Sequence, residues 1–273
     1  MFRRMNGIGS GLAAAATLWA TSALALPQKW GVTFQPPASE VMTRIEDFHR
    51  LLLYIIVAIC IFVLVLLLIV IFRFNQRANP VPSKTHHNTL LEVMWTLIPV
   101  IILVVIAIPS FRLLYFEATI PKPDVTIKAI GKQWSWTYEY PGANFQFDSF
   151  PLKDADAAKA GEPRMLGVDN VVVVPVNKVI EVDTTGADVI HSWALPQMGV
   201  KMDAIPGRIN HTWFKATQLG TFYGQCSELC GANHDFMPIE VKVVSDAEYA
   251  QWLATAKKKF ASLDDGATRL AAK

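Results

Sequence analysis

The sequence has few charged residues and few cysteines, and it lacks the motifs of several common ligand-binding classes. Only 18% of its 273 residues are Asp, Glu, Lys or Arg, and only three are cysteine. It contains no internal repeat and no glycine-rich loop of the kind that binds nucleotide phosphates. Against this, 52% of the residues are hydrophobic. This composition indicates a membrane protein, and the length allows more than one structural unit.

The charges are unevenly distributed along the chain. Residues 1–116 contain nine Lys or Arg and four Asp or Glu, whereas residues 117–250 contain eleven Lys or Arg and seventeen Asp or Glu. Proteins that bind nucleic acid need a basic surface, so this acidic second part argues against nucleic acid as a partner. It favours a basic protein partner that is attracted by electrostatic steering.

The first 25 residues have the features of a secretory signal peptide. Arg3 and Arg4 give a positively charged start, residues 11–20 are small and apolar, and Ala23-Leu24-Ala25 forms a cleavage site of the A-x-A type. A short first membrane helix is the alternative, but the apolar run is too short and too rich in alanine and glycine to cross a bilayer. We therefore predict that the mature N-terminus lies outside the cytoplasm.

Two apolar segments are long enough to cross a membrane. Leu51–Phe72 has 22 residues and no charge, and Val93–Phe111 has 19 residues; at ~1.5 Å per residue such helices span about 30 Å of hydrocarbon. The loop between them carries basic residues, which favours the cytoplasmic side: Arg73, Arg77 and Lys84. With an exported N-terminus, two spans return the rest of the chain to the outside. We predict an anchor within residues 26–116 and an extracytoplasmic domain over residues 117–273.

Beyond the second span the pattern changes to short β-type segments. The candidate strands are Val125–Ala129, Gln133–Tyr140, Val171–Pro175, Lys178–Asp183, Val189–Ala194, His211–Ala216, Gly220–Gln225 and Ile239–Val244. Residues 151–167 are expected to form a surface excursion, and Asp246–Phe260 an amphipathic C-terminal helix. Several short strands separated by turn residues predict a β-sandwich or a small barrel.

The strongest chemical signal is a cluster of soft metal donors. Cys226, Cys230, His234 and Met237 lie within twelve residues, and His191 lies upstream. The two cysteines could form a disulfide in an exported domain, or join the two histidines in a closed zinc site. The nearby thioether favours copper, because sulfur and imidazole together suit that metal.

Glu92 stands at the start of the second span. A carboxylate near a helix N-terminus is stabilised by the helix dipole, and this is the simpler interpretation. Ionisable residues at membrane depth also mark proton pathways, which is the second interpretation. The spacing alone favours the first.

Several motifs together resemble subunit II of cytochrome c oxidase, the haem–copper terminal oxidase. They are Glu92–Pro99, Gln133–Tyr140, His191-Ser-Trp193, Asp203–Arg208 and Gly224–Pro238. The similarity extends from about Trp30 to Trp252, and the predicted cleavable leader suggests the bacterial form of the family.

The resemblance implies a membrane-anchored all-β protein: a hairpin of two transmembrane helices followed by a cupredoxin-like Greek-key β-sandwich with the dinuclear copper centre CuA. In such a centre Cys226 and Cys230 bridge two copper ions, His191 and Met237 complete one copper, and His234 and the backbone carbonyl of Glu228 complete the other. The Glu228 side chain is implied to bind magnesium at the interface with subunit I.

The resemblance also implies roles in electron and proton entry. Trp134 matches the exposed tryptophan through which electrons enter, and Glu92 matches the proton-entrance glutamate. Four acids match the docking surface for cytochrome c: Glu139, Asp148, Asp169 and Asp188. Considered individually, each acid is an ordinary surface charge, and Trp134 is one more aromatic residue in a strand.

The implied function is electron entry into a proton-pumping oxidase. Electrons pass from cytochrome c to haem in subunit I, where oxygen is reduced to water, and subunit III is a further partner. The implied location is the bacterial inner membrane, with the C-terminal domain on the periplasmic side. The intact copper motif argues against quinol-oxidising relatives, which lack it, and the paired spans argue against nitrous oxide reductase. A membrane-tethered copper carrier or sensor is the non-enzymatic alternative.

Overall fold

The computed structural model describes residues 30–260, and its first part is a pair of long helices. Helix α1 covers Glu40–Arg73 and helix α2 covers Thr89–Ala118. Each begins at a capping side chain: the Ser39 hydroxyl accepts a hydrogen bond from the Met42 N–H, and the Asn88 side chain accepts one from the Leu91 N–H. Both helices are long and apolar enough to cross a membrane. The predicted spans lie inside them, and the predicted signal peptide lies outside the described residues.

The helix pair is joined to the β domain at both of its outer ends. Before α1, the Ser39 hydroxyl donates to the Met198 carbonyl at 2.7 Å. After α2, the indole N–H of Trp213 donates to the Glu117 carbonyl at 3.1 Å, and the Phe116 ring packs edge-on against that indole. The two contacts lie at opposite ends of the helical hairpin in sequence, so the anchor and the β domain form one continuous packed unit.

The β domain is a sandwich of two five-stranded sheets. The strands are β1 (Val125–Lys132), β2 (Ser135–Tyr140), β3 (Phe145–Ser149), β4 (Val172–Pro175), β5 (Ile180–Gly186), β6 (His191–Leu195), β7 (Val200–Ala204), β8 (Asn210–Phe214), β9 (Gly220–Cys226) and β10 (Pro238–Val244). One sheet has the order β3-β2-β1-β5-β8 and the other β4-β10-β9-β6-β7. The predicted β-sandwich behind a two-helix anchor is confirmed.

The core of the sandwich is rich in aromatic side chains that alternate along the strands. Tyr138 and Tyr140 on β2 and Phe145 and Phe147 on β3 are almost fully buried, since successive residues of a strand point to opposite faces. The predicted C-terminal helix is present as α4 (Asp246–Lys259), and its Trp252 ring packs 5.2 Å from the Tyr140 ring. Burial of these aromatic side chains therefore stabilises the two sheets, and the loops that carry the candidate site residues extend from these sheets.

Some predicted boundaries are wrong. β2 begins at Ser135 and not at Gln133, because Gln133 and Trp134 form the two-residue turn between β1 and β2. Strands β3 and β7 were not predicted, and the excursion over residues 151–167 contains a short helix, α3 (Asp154–Ala160). Each change affects a short element or an element end.

Candidate metal centre

Strand pairing brings the two parts of the metal motif together. β6 and β9 are antiparallel neighbours, with Trp193 opposite Cys226. His191 begins β6 and Cys226 ends β9, so both lie at the same end of these two antiparallel strands. The loop that follows Cys226 returns to this end, where the Cys226 N–H donates to the Met237 carbonyl at 3.0 Å. Residues 35 positions apart in sequence thus share one site.

The donor atoms lie close together without a bond between the sulfurs. The Sγ atoms of Cys226 and Cys230 are 3.9 Å apart, far beyond the ~2.05 Å of a disulfide, and both thiols are free. Nδ1 of His191 is 3.9 Å from the Cys226 sulfur, and Nδ1 of His234 is 3.6 Å from the Cys230 sulfur. The carbonyl of Glu228 is 3.4 Å from the Cys226 sulfur. The two thiols and the two imidazoles therefore form one cluster of donors, in which His234 also interacts with Cys226.

The site is shielded from water on the side of the β domain. His191 and Met237 are fully buried, and the two cysteines are nearly so. His234, in contrast, is half-buried in a short 3-10 turn at residues 234–236. The cluster therefore lies just beneath the surface, with its buried candidate ligands on the side of the sandwich and His234 on the outer side.

The two thiols ionise unequally. Burial opposes ionisation of Cys226, but hydrogen bonds, above all the one with His191, outweigh it and lower the pKa of this thiol. Burial raises the pKa of the Cys230 thiol, and the neighbouring Cys226 charge raises it further. Two adjacent thiols titrate as a coupled pair, so the protein alone holds one thiolate readily and resists the second. A bound cation would hold both as thiolates.

Asp188 lies in contact with the metal motif. Its Oδ1 atom is 2.9 Å from Nε2 of His191. Burial would lower the pKa of His191, but the hydrogen bonds to Cys226 and Asp188 outweigh burial and raise it. Burial likewise opposes ionisation of Asp188, yet hydrogen bonds from His191 and from two backbone N–H groups lower its pKa overall. The sequence had suggested only a docking role for this carboxylate.

Trp134 contacts the metal-binding loop directly. Its indole N–H donates to the Cys230 carbonyl at 3.3 Å, and the side-chain amide of Gln133 donates to the same carbonyl at 2.8 Å. Trp134 is half-buried at the turn between β1 and β2. Gln133 was not predicted as a site residue, and only its position next to Trp134 could have suggested it.

Two of the other candidate docking acids share a sheet face. Glu139 on β2 and Asp148 on β3 both point outward, and each is paired with a lysine: Glu139 with Lys128 at 3.1 Å and Asp148 with Lys132 at 3.2 Å. Asp169 lies in the loop before β4, where its Oδ1 atom accepts the Phe150 N–H at 2.8 Å. Asp148 and Asp169 are exposed and Glu139 is half-buried, and the lysines partly neutralise Glu139 and Asp148.

Glu92 is separate from the metal motif, in the first turn of α2. Its Oε1 atom lies 2.7 Å from Nδ1 of His87, a pairing that is ionic only when the histidine is protonated. The structure therefore places a carboxylate and an imidazole together at the N-terminal end of the second long helix.

A buried acid that was not predicted lies in the β domain. Glu240 on β10 is only 4% exposed, and its Oε2 atom accepts the Val168 N–H at 3.0 Å. Burial raises the pKa of Glu240 to about 7. This carboxylate joins the end of the surface excursion to the second sheet.

Comparisons with known proteins match both parts of the chain. The sequence model of the periplasmic domain of cytochrome c oxidase subunit II matches residues 125–244, and that of the transmembrane domain of the same subunit matches residues 27–113. The β domain and the helix pair thus match consecutive parts of one family.

Curated relatives extend over most of the chain. A probable cytochrome c oxidase subunit 2 of Rickettsia felis is 51% identical and the match covers 85% of this chain and 74% of that protein. Cytochrome c oxidase subunit 2 of Cereibacter sphaeroides is 44% identical over 92% of this chain and 88% of its own length. Among solved structures, the periplasmic domain of subunit II of cytochrome oxidase of Bradyrhizobium japonicum is 62% identical, with a TM-score of 0.49; the match covers 52% of this chain and all of that one.

Proposed function

Because the chain belongs to the cytochrome c oxidase subunit II family, we propose that it is the subunit through which electrons from cytochrome c enter a proton-pumping haem–copper oxidase. It is a subunit of the oxidase complex, anchored by two helices and carrying a periplasmic domain. We place it in a bacterial inner membrane. Haem in subunit I is the proposed electron acceptor and the site of oxygen reduction, and subunit III is a further partner.

The observation that carries the proposal is a cluster of soft donors around two thiols that lie close together and are not bonded to each other. Cys226 and Cys230 are 3.9 Å apart, with His191 on the first and His234 on the second. With the Glu228 carbonyl and Met237 the candidate donors number six, more than the four of a closed tetrahedral zinc site, and the thioether favours copper. The residues that would hold the copper pair are His191, Cys226, Glu228 through its carbonyl, Cys230, His234 and Met237.

Bound there, a copper pair would supply a carrier that accepts and releases one electron at a time. The protein supplies the rest. The sheets hold His191 and Cys226 in place before metal arrives, and burial keeps water from the thiolates. Met237 and the Glu228 carbonyl are weak donors, so they tune the redox potential more than they hold the metal.

Electron entry is assigned to Trp134. Its indole N–H reaches the carbonyl of Cys230, a proposed ligand, so the ring connects the surface to the metal loop by one hydrogen bond. Glu139, Asp148 and Asp169 would attract the basic face of cytochrome c. Charges at the edge of an interface act mainly on the association rate, so these acids would steer the donor and not hold it.

Two further assignments follow the family pattern. The exposed side chain of Glu228 lies in the metal loop and would bind magnesium together with groups of subunit I. Glu92, at the start of α2, would admit protons from the cytoplasmic side into subunit I. We expect Glu92→Gln to slow oxygen reduction by the assembled oxidase and to leave the copper spectrum unchanged.

The proposal is tested on the full-length chain purified in detergent and loaded with copper under reducing conditions. We expect two copper ions per chain and an electron paramagnetic resonance spectrum in which one unpaired electron is shared by both. Cys226→Ser should abolish this spectrum. Cys60→Ser is the matched control, because Cys60 lies on α1, away from the metal motif.

Other results would favour the alternatives. A single, reversibly bound copper ion with an ordinary spectrum would indicate a copper carrier or sensor. Preferential retention of zinc, or thiols that stay oxidised to each other after reductive loading, would refute the copper assignment.

A further inference from the structure

We propose that Asp188 is a positioning residue for the metal ligand His191. The inference rests on the proposed function, because it takes His191 as a ligand of bound copper. It gives Asp188 a role beyond the docking role that the family pattern suggested, and it adds Gln133 to the site.

Both carboxylate oxygens of Asp188 are used within the protein. Oδ1 lies 2.9 Å from Nε2 of His191 and accepts the Val189 N–H at 2.7 Å. Oδ2 accepts the Gln133 N–H at 2.7 Å. Three hydrogen bonds thus hold the carboxylate in one orientation, although 36% of the Asp188 side chain is exposed to solvent.

The bond to Nε2 determines which nitrogen of His191 faces the thiols. A carboxylate accepts a proton and cannot donate one when ionised, so Nε2 carries the proton and Nδ1 keeps its lone pair. Nδ1 is the atom that lies 3.9 Å from the Cys226 sulfur. A carboxylate behind a ligand histidine fixes the ring orientation and increases the basicity of the metal-binding nitrogen. Asp188 has the position that this role requires.

The surrounding packing leaves the ring little freedom. The Trp136 ring meets the imidazole edge-on, with centroids 6.0 Å apart. On another side Gly131 leaves only enough room for the ring: a Cβ atom at this position would lie 2.6 Å from Cδ2 of His191. The side chain of His191 is 0% exposed. The ring of His191 is therefore already confined, and Asp188 determines which of its two nitrogens carries the proton.

Gln133 connects this carboxylate to the other half of the centre. Its backbone N–H donates to Asp188, and its side-chain amide donates to the Cys230 carbonyl at 2.8 Å. A single turn residue therefore joins the groups behind His191 on one side and Cys230 on the other. We call this arrangement, Asp188 with Gln133, the ligand clamp.

The clamp has a measurable consequence. The negative charge of Asp188 makes the imidazole a stronger electron donor, which favours the oxidised form of the bound metal. Removal of this charge should raise the midpoint potential of the copper centre. A free docking charge would have little effect on the potential and would act on the association rate with a basic partner.

The test compares Asp188→Ala, Asp188→Asn and the control Asp169→Asn in the full-length chain, loaded with copper. We expect both Asp188 variants to raise the midpoint potential. The effect should be smaller for asparagine, whose amide oxygen can still accept the Nε2 proton. In hyperfine or nuclear resonance spectra the exchangeable Nε2 proton of His191 should be lost or shifted in Asp188→Ala. Asp169→Asn should leave both readouts as in the unmodified chain.

A docking role would give the opposite pattern. If both Asp188 variants keep the original potential and proton signal, but lower the rate of reduction by cytochrome c as Asp169→Asn does, the clamp is refuted. If Asp188→Ala does not retain copper, the asparagine variant decides between the two roles. If the unmodified chain shows no shared-electron copper spectrum, the proposed function itself fails, and the clamp fails with it. If that spectrum is present and the potential is unchanged in the Asp188 variants, only the clamp fails.

Discussion

Gly131 offers a direct test of whether the sandwich holds His191 in place before metal binds. A methyl group at Gly131 would lie 2.6 Å from Cδ2, 2.7 Å from Cγ and 2.8 Å from Cβ of the His191 side chain. The backbone at Gly131 cannot yield, because β1 is paired on one side with Trp136 of β2 and on the other with Gly186 of β5. In Gly131→Ala the histidine must therefore move.

The size of the displacement follows from the distances. Ordinary contacts of a Cβ atom begin at 3.4 Å, so the ring must retreat by roughly 0.8 Å, which exceeds the ~0.5 Å tolerance of a preorganised site. Overpacking of a well-packed core costs about 1–3 kcal/mol. For a domain of this size each kcal/mol lowers the melting temperature by about 2–4 °C.

The assay measures thermal unfolding of the β domain by near-ultraviolet circular dichroism and copper retention by resonance spectroscopy, both on the full-length chain. We expect Gly131→Ala to melt lower and to show a weakened or altered copper spectrum. Gly142→Ala is the control, since nothing lies within 4 Å of a Cβ at Gly142. Equal melting temperatures and identical copper spectra for the two variants would refute the idea that this glycine makes room for the ligand.

Three further predictions concern individual side chains or pairs of them. Burial raises the pKa of Glu240 from 4.5 to about 7, so the folded state favours the protonated acid and stability is lost as the pH rises through 7. Melting temperatures measured between pH 5 and 8 should depend less on pH in Glu240→Gln, and an unchanged dependence would contradict this assignment. Trp134→Phe keeps the ring but loses the hydrogen bond to the Cys230 carbonyl, so stopped-flow reduction by cytochrome c should slow while the copper spectrum stays the same; an unchanged rate would exclude Trp134 from electron entry. The double variant Glu139→Gln and Asp169→Asn should lower kcat/KM for cytochrome c at low ionic strength and reduce its salt dependence. A salt dependence equal to that of the unmodified chain would exclude these acids from docking.

Features that depend on composition and periodicity could be predicted from the sequence. The two spans stand out because an uncharged apolar run of about 20 residues is rare outside membrane helices. Most strands were located because inward and outward residues alternate. Strand β3 (Phe145–Ser149) has the same alternation of phenylalanine with polar residues and could have been recognised, although it is only five residues long.

Features that depend on tertiary contacts could not be predicted. The turn at Gln133 and Trp134 has none of the glycine or asparagine that usually marks a two-residue hairpin turn, so the aromatic alternation appeared to continue through it. The soft donors near Cys226 were visible as a motif, but their pairing with His191 depends on the adjacency of β6 and β9. The orientation of Asp188 depends on a backbone N–H 55 residues away. Sequence alone therefore indicates the ligands and not the groups that orient them.

The contacts between the helix pair and the sandwich hold the candidate metal site at a set distance from the anchor. One contact precedes α1, at Ser39, and the other follows α2, at Trp213, so the domain cannot swing about a single pivot. The height of the thiols above the lipid surface is consequently fixed when the chain folds. In the proposed function electrons tunnel from this site to haem in subunit I, and because tunnelling depends steeply on separation, a fixed height would give every electron the same gap.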